Sequence, residues 1–197
     1  MKRTLKHIGN GISRIFTFFP FALACIGTRL MRSESPFLYF SQSMSLVPGT
    51  LGDYMRRAYY RWTLEHVGAN LIVGFGSFFT HRAVRLGDRV RIGQYTIIGR
   101  AHVDSNVLIS DHVSILSGRY HHMHDENGHL VDHDAGSVSL TIGSHSWIGA
   151  GSTVMADIGE QAIVGAGSIV VQPVPQRIVV AGNPAKEIRR TKNDAAR

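Results

Sequence analysis

Leu86-Gly87-Asp88-Arg89-Val90-Arg91-Ile92-Gly93-Gln94-Tyr95-Thr96-Ile97-Ile98-Gly99 sets an aliphatic residue before a glycine at every sixth position. The spacing then recurs. Val103-Asp104, Ile109-Ser110 and Ile115 continue it one residue out of phase. Ile142-Gly143, Ile148-Gly149 and Val154 form a third run, and Ile158-Gly159, Val164-Gly165 and Val170 a fourth. A period of six is a multiple of the strand period of two and not of the helical 3.6, so each hexad is a short extended segment plus a turn. Fixed-period repetition marks a solenoid, and hexapeptide repeats specify a β-helix. Each aliphatic residue stacks on its equivalents one coil above and below. The small residue after it lets the chain turn a tight corner.

The period breaks in three places. Ile98 to Val103 is one residue short, and Val154 to Ile158 is two short, so each trims one side of a coil. The large break runs from Ser117 to Leu140, through Gly118-Arg119-Tyr120-His121-His122-Met123-His124-Asp125-Glu126-Asn127-Gly128-His129. A loop ejected from a rigid scaffold is where function concentrates. Trp147 follows this loop and precedes the inward Ile148, so its ring points outward, on a contact surface or a subunit boundary.

Composition limits the alternatives. At 197 residues the chain fits one domain with an extension. A hydrophobic content of 44% with 21 Gly is globular and turn-rich. The single Cys25 excludes an intrachain disulfide framework and fits a reducing compartment. The net charge of +7 is uneven: residues 1–66 contribute +6, residues 67–176 contribute −3, and residues 177–197 contribute +4. No nucleic-acid module is visible and the central body is acidic, so nucleic acid is not an expected partner.

Three regions follow: an extension over residues 1–66, a β-helix over 67–184 with the ejected loop 117–140, and a C-terminal helix and tail over 185–197. Near the start, Lys2, Arg3 and Lys6 precede an apolar stretch from Ile15 to Ile26, bracketed by Arg14 and Arg29. The stretch is shorter than the ~20 residues that span a bilayer. No small-x-small cleavage site follows it cleanly, which argues against a secretory signal. Residues 1–32 fit an interfacial segment, with Phe16, Phe18, Phe19, Phe21 and Leu30 facing lipid and the basic residues at headgroups. Packing as a cap on the open solenoid end is the competing reading. The span Tyr54 to Leu64 reads as a helix with an aromatic and an arginine face, covering strand edges that would otherwise be open.

The stretch from Ile142 to Gly151, Val164-Gly165-Ala166-Gly167-Ser168 and the closing Val180-Ala181-Gly182-Asn183-Pro184-Ala185-Lys186-Glu187-Ile188-Arg189 resemble the hexapeptide-repeat acyltransferases. The resemblance is to their sugar and polysaccharide O-acetyltransferase branch and covers roughly residues 66–190. It implies an all-β, left-handed parallel β-helix and a homotrimer. It implies acetyl transfer from acetyl-CoA to a sugar hydroxyl, with no metal required. Surface polysaccharide or lipid-linked glycan biosynthesis is the implied setting, in the cytoplasm at the inner face of the membrane.

Acetyl transfer from a thioester to a hydroxyl needs a general base and N–H donors for the oxyanion. A neutral histidine supplies the base. In the resembled family that histidine opens the ejected loop. The pattern Ser-Gly-Arg-x-x-His selects His122, and a shorter spacing after the glycine selects His121. A solvated loop histidine is the plain alternative for either. Asp125 and Glu126 are near enough in sequence to orient an imidazole, or are solvated loop charges. The resemblance also matches Trp147, Ala150, Ala166, Lys186 and Arg189 to acetyl-CoA contacts, the basic pair meeting phosphates with Arg190 as help. The family's Thr-Lys after the last coil is Val171-Gln172 here, so one phosphate-binding lysine is missing. His121, His122, His124, His129 and His133 together invite a metal reading, as in gamma-class carbonic anhydrases, which share the solenoid. Those ligands come from coil faces rather than one loop. A non-catalytic β-helix scaffold is the remaining alternative.

Overall fold

A computed structural model describes residues 17–18, 20–23, 26–27, 29–30, 33–117, 122–132 and 139–191, with 122–124 and 130–132 described by their backbone. Residues 17–18, 20–23, 26–27 and 29–30 are helical. Two helices follow, α1 (Ser35–Ser45) and α2 (Gly49–Thr63). The solenoid opens with β1 (His66–Val67), β2 (Ile72–Val73) and β3 (Phe78–Phe79). A second coil holds β4 (Arg85–Leu86), β5 (Arg91–Ile92) and β6 (Ile97–Ile98). A third holds β7 (Ala101–Val103), β8 (Leu108–Ile109) and β9 (Ser114–Ile115). The loop after it contains a hairpin, β10 (His122–His124) and β11 (Leu130–Asp132). The coils resume with β12 (Leu140–Ile142), β13 (Trp147–Ile148) and β14 (Thr153–Val154), then β15 (Ile163–Val164) and β16 (Ile169–Val170). They close with β17 (Ile178–Ala181) and β18 (Lys186–Arg190).

Each third strand returns to the same sheet, so the chain winds about five turns around a three-sided prism. The first sheet runs β1-β4-β7-β12, the second β2-β5-β8-β13-β15-β17-β18, and the third β3-β6-β9-β14-β16. Pairing along the solenoid is parallel up to β17. The inward positions are the hexad aliphatics. Val73, Ile92, Ile109, Ile148, Val164 and Val180 form one column, and Phe79, Ile98, Ile115, Val154 and Val170 another, all buried. Full burial of such a side chain contributes about 1.5–3 kcal/mol, so the stacked columns are the main source of stability.

The period breaks map onto the coil geometry. Val154 to Ile158 is the shortest step, and there the first sheet narrows to the single bridges Ile142 to Ile158 and Ile158 to Val174. At the opposite corner of the second sheet, Asn70, Arg89, Asn106, His145, Gln161 and Arg177 all hold φ between 56° and 62°. A left-handed conformation costs a non-glycine residue roughly 1–2 kcal/mol. It is held here by the ladder: Arg89 N–H donates to Ala69 O, Asn106 N–H to Asp88 O, and His145 N–H to Ser105 O.

The solenoid end is covered by α1 and α2, as the helical reading of Tyr54 to Leu64 anticipates. The structure refines that reading: of the three arginines Arg61 is exposed, whereas the Arg56 side chain is 0% exposed. Its Nε donates to Val73 O at 2.8 Å, Nη1 to Val47 O at 2.7 Å, and Nη2 to Asp53 Oδ1 at 2.7 Å. The end strand and the α1–α2 turn leave carbonyls facing the cap, and a guanidinium supplies several donors at once. Gly52 makes room for it: a Cβ there would overlap Val47 O and crowd Arg56 Nη1.

The C-terminal helix expected over residues 185–190 is corrected. Residues Lys186–Arg190 form β18, antiparallel to β17, with Ala181 opposite Lys186 and Val179 opposite Arg189. Five residues are too few for helical periodicity to assert itself, and β17 would otherwise end the second sheet with open N–H and C=O groups. The chain reverses through Gly182, at φ 102°, and Asn183-Pro184, and pairs with that edge.

The half-buried Phe21 ring lies 5.5 Å from that of Trp62 on α2, and the exposed Phe18 meets the same indole edge-on at 6.4 Å. Phe16, Phe19, Cys25 and the basic residues Lys2, Arg3, Lys6 and Arg14 lie outside the described residues.

Candidate active-site face

Outward residues of the second sheet form a single column. Register aligns Ile72, Arg91, Leu108, Trp147, Ile163 and Val179, and Arg189 sits opposite Val179 at its end. Ile72, Leu108 and Trp147 are exposed apolar members of this column, with Arg91 between the first two. Trp147 is 47% exposed, as its place before Ile148 requires, and its indole Nε1 donates to Ser110 Oγ at 3.0 Å. That bond fixes the ring on the face, beside β8.

Four of the proposed acetyl-CoA contacts surround this column. Ala150 and Ala166 are exposed and follow Gly149 and Gly165 at the corner just beyond β13 and β15. Ala150 O accepts from Gly167 N–H at 2.8 Å. Lys186 and Arg189 are exposed on β18, with Arg190 beside them. With strands about 4.8 Å apart, Arg189 stands three steps, about 14 Å, from Trp147. The face therefore places an aromatic ring and a cationic edge along one line.

The loop is less completely described. His121 lies outside the described residues, as does His133. His122 begins β10, and the antiparallel register sets Asp132 of β11 opposite it. That pairing is invisible to a reading that looks only at sequence neighbours. The signal for it was Asn127-Gly128, the usual dipeptide at a tight hairpin turn. Asp125 is occupied otherwise. Its Oδ1 accepts from Asn127 N–H at 2.9 Å and from His129 N–H at 2.8 Å, and its Oδ2 lies 3.4 Å from His129 Nδ1. Asp125 thus shapes the hairpin turn, and Glu126 is exposed in the same turn.

Sequence reasoning also missed an open cleft of about 570 Å³ at the N-terminal end of this face. Ile72 and Leu108 line it, together with Arg57 from α2, Arg91 from β5, and Arg89 and Asn70 from the left-handed corner. Arg57 Nε donates to Leu71 O at 2.6 Å, and Arg89 Nε to Asn106 Oδ1 at 2.5 Å. Burial, and secondarily the like charge of Arg61, pull the Arg57 pKa below its ordinary value.

With that geometry in hand, solved structures supply the comparison. A maltose O-acetyltransferase from Clostridium difficile 630 superposes with a TM-score of 0.64 at 19% identity, over 80% of this chain and 86% of that one. A galactoside acetyltransferase in complex with coenzyme A gives 0.65 at 23% identity, over 79% of each chain. A hexapeptide-repeat acetyltransferase from Vibrio cholerae gives 0.63 at 21%, over 81% of this chain and 90% of that one. The fold is the hexapeptide-repeat β-helix. No family model and no curated sequence matches the chain.

Proposed function

We propose that this protein transfers an acetyl group from acetyl-CoA to a hydroxyl of a sugar, in the assembly of a surface polysaccharide or a lipid-linked glycan. The observation that carries the reading is the column from Trp147 to Arg189, which lies on one face of a fold shared with sugar acetyltransferases. Acetyl-CoA would lie along that line, its phosphates at Lys186, Arg189 and Arg190 and its thioester near Trp147, with Ala150 and Ala166 beside the pantetheine arm. His122 would take the acceptor hydroxyl's proton as the oxygen attacks the thioester carbon. The tetrahedral oxyanion would then collapse, break the C–S bond and release CoA, whose sulfur recovers the proton from the imidazolium. His121 is the alternative base. The chemistry requires no metal. The test is release of free thiol from acetyl-CoA, with mass-spectrometric detection of acetylated product, across a panel of neutral and charged sugars. No sugar-dependent release from any acceptor would defeat the reading.

The outward Trp147 supports a homotrimer, since closed cyclic symmetry lets the flat faces of every copy meet a neighbour. The active site would then lie between subunits. Sedimentation equilibrium should return three times 21.7 kDa. A monomer at working concentration would remove both the trimer and the shared site.

Residues 1–32 would hold the enzyme at the inner face of the membrane. Among the described residues, no helix is long and apolar enough to cross a bilayer. Phe18, Leu23, Ile26 and Leu30 are exposed, Leu30 by 82%, while Phe21 packs on Trp62. A segment that docks by one side and bares another fits an interfacial role. In flotation with anionic vesicles the full chain should rise with the lipid, and less so as salt increases. A chain beginning near Ser41 should stay at the bottom. If both chains behave alike, the segment serves only as a cap.

A further inference from the structure

Three guanidinium groups, of Arg57, Arg89 and Arg91, line the cleft at the N-terminal end of the active-site face. Three other arginines of the body do form ion pairs: Arg56 with Asp53, Arg82 with Glu34, Arg85 with Glu65. Among the described residues, Arg57, Arg89 and Arg91 make no ion pair. Two of them are aimed by neutral acceptors. Leu71 O takes the Nε proton of Arg57, and Asn106 Oδ1 that of Arg89, so each presents its remaining N–H groups elsewhere. Arg57 is also partly desolvated, beside the like charge of Arg61, with Asp53 and the Tyr54 ring offsetting only part of that cost. Three cations lining one cleft without a direct ion pair repel one another, and an anion seated between them relieves the repulsion.

The rest of the lining suits a sugar. Ile72 and Leu108 give an exposed apolar floor for the C–H side of a ring, and Asn70 brings an amide for hydroxyl groups. The position suits an acceptor. Arg91 stands two strand steps, about 10 Å, from Trp147 in the same column, on the side away from Arg189. Donor phosphates and an acceptor anion would thus occupy opposite ends of one line, with the reacting atoms between.

We infer that this cleft is an anion subsite for the acceptor, and that the sugar acetylated carries a carboxylate or a phosphate. The assignment of the bound sugar as acceptor rests on the acetyl-transfer reading; the anion site itself does not. The experiment is calorimetric titration of the full chain with trigalacturonic acid, glucose 1-phosphate and neutral maltotriose, alongside acetyl-CoA. At least one anion should bind ten-fold or more tightly than maltotriose, and should weaken as salt rises from about 50 to about 300 mM. Which of the two binds identifies the anionic group. Arg91→Glu should weaken that binding by about ten- to a hundredfold and leave acetyl-CoA affinity unchanged. Arg91 is exposed and without side-chain partners among the described residues, so this variant should keep the parent melting temperature, and Arg91→Gln should fall between the two. Equal binding of charged and neutral sugars, or indifference to Arg91→Glu, would overturn the site. Weakened acetyl-CoA binding in Arg91→Glu would also overturn it, by giving the cleft to the donor. Anion binding lost in Arg91→Glu, in a protein that releases no thiol from acetyl-CoA with any sugar, would uphold the anion site and defeat the transferase reading.

Discussion

His122→Ala is expected to lower kcat by about a hundredfold or more while acetyl-CoA affinity stays within about twofold, as loss of a general base acting only in the transition state requires. His122 opens the first strand of the hairpin in the ejected loop, near the point where that loop leaves the coils. A residue in a paired strand has a backbone fixed by cross-strand hydrogen bonds, which suits a group that must hold one orientation. Full activity in His122→Ala with loss of turnover in His121→Ala would move the base one residue back. Retention of activity in both would remove the loop from the chemistry.

The core of this fold is legible because its signal is local and repeated. A hexad names its own inward residue, and the residue before it must then point outward, so Trp147 and Arg91 could both be placed by parity. The period breaks likewise announced where a side narrows, at Ile158, and where the loop leaves, at Ser117. What stayed hidden depends on distant partners. The arginine pattern of α2 gives no hint that Arg56 is buried, because the carbonyls it serves belong to residues 9 and 17 positions away. Arg57 lines the same cleft as Arg89 and Arg91 only because α2 packs on the first coil. The five residues of β18 read equally as helix or strand, and the open edge of β17 decided between them. Loop chemistry was legible as a cluster of histidines but not as a pairing, since the Asp132 that faces His122 lies across the hairpin.

The buried Arg56 leads to the second large effect. Arg56→Ala is expected to destabilise the protein by about 3–5 kcal/mol, the range for breaking a buried, hydrogen-bonded charge. Three losses combine. The carbonyls of Val73 and Val47 lose their donor, each left unsatisfied at about 1–3 kcal/mol. Asp53 loses its ion pair, a smaller effect because its side chain is 44% exposed. A cavity opens between α2 and β2, beside Gly52, whose missing Cβ had made room for the guanidinium. Arg56→Met should recover some of the volume but none of the donors, and Arg56→Lys should fail similarly, because one ammonium cannot meet acceptors on opposite sides of a planar fork. Coils of a solenoid contact only their neighbours, so the damage should begin at one end. Hydrogen exchange in Arg56→Ala should show early loss of protection in β2 and β3 while β13 and β15 remain protected. A shift below about 1 kcal/mol, or uniform loss of protection along the solenoid, would show that the cap is held by the aromatic contacts of Tyr59 and Tyr60 instead, and that the arginine merely fills space.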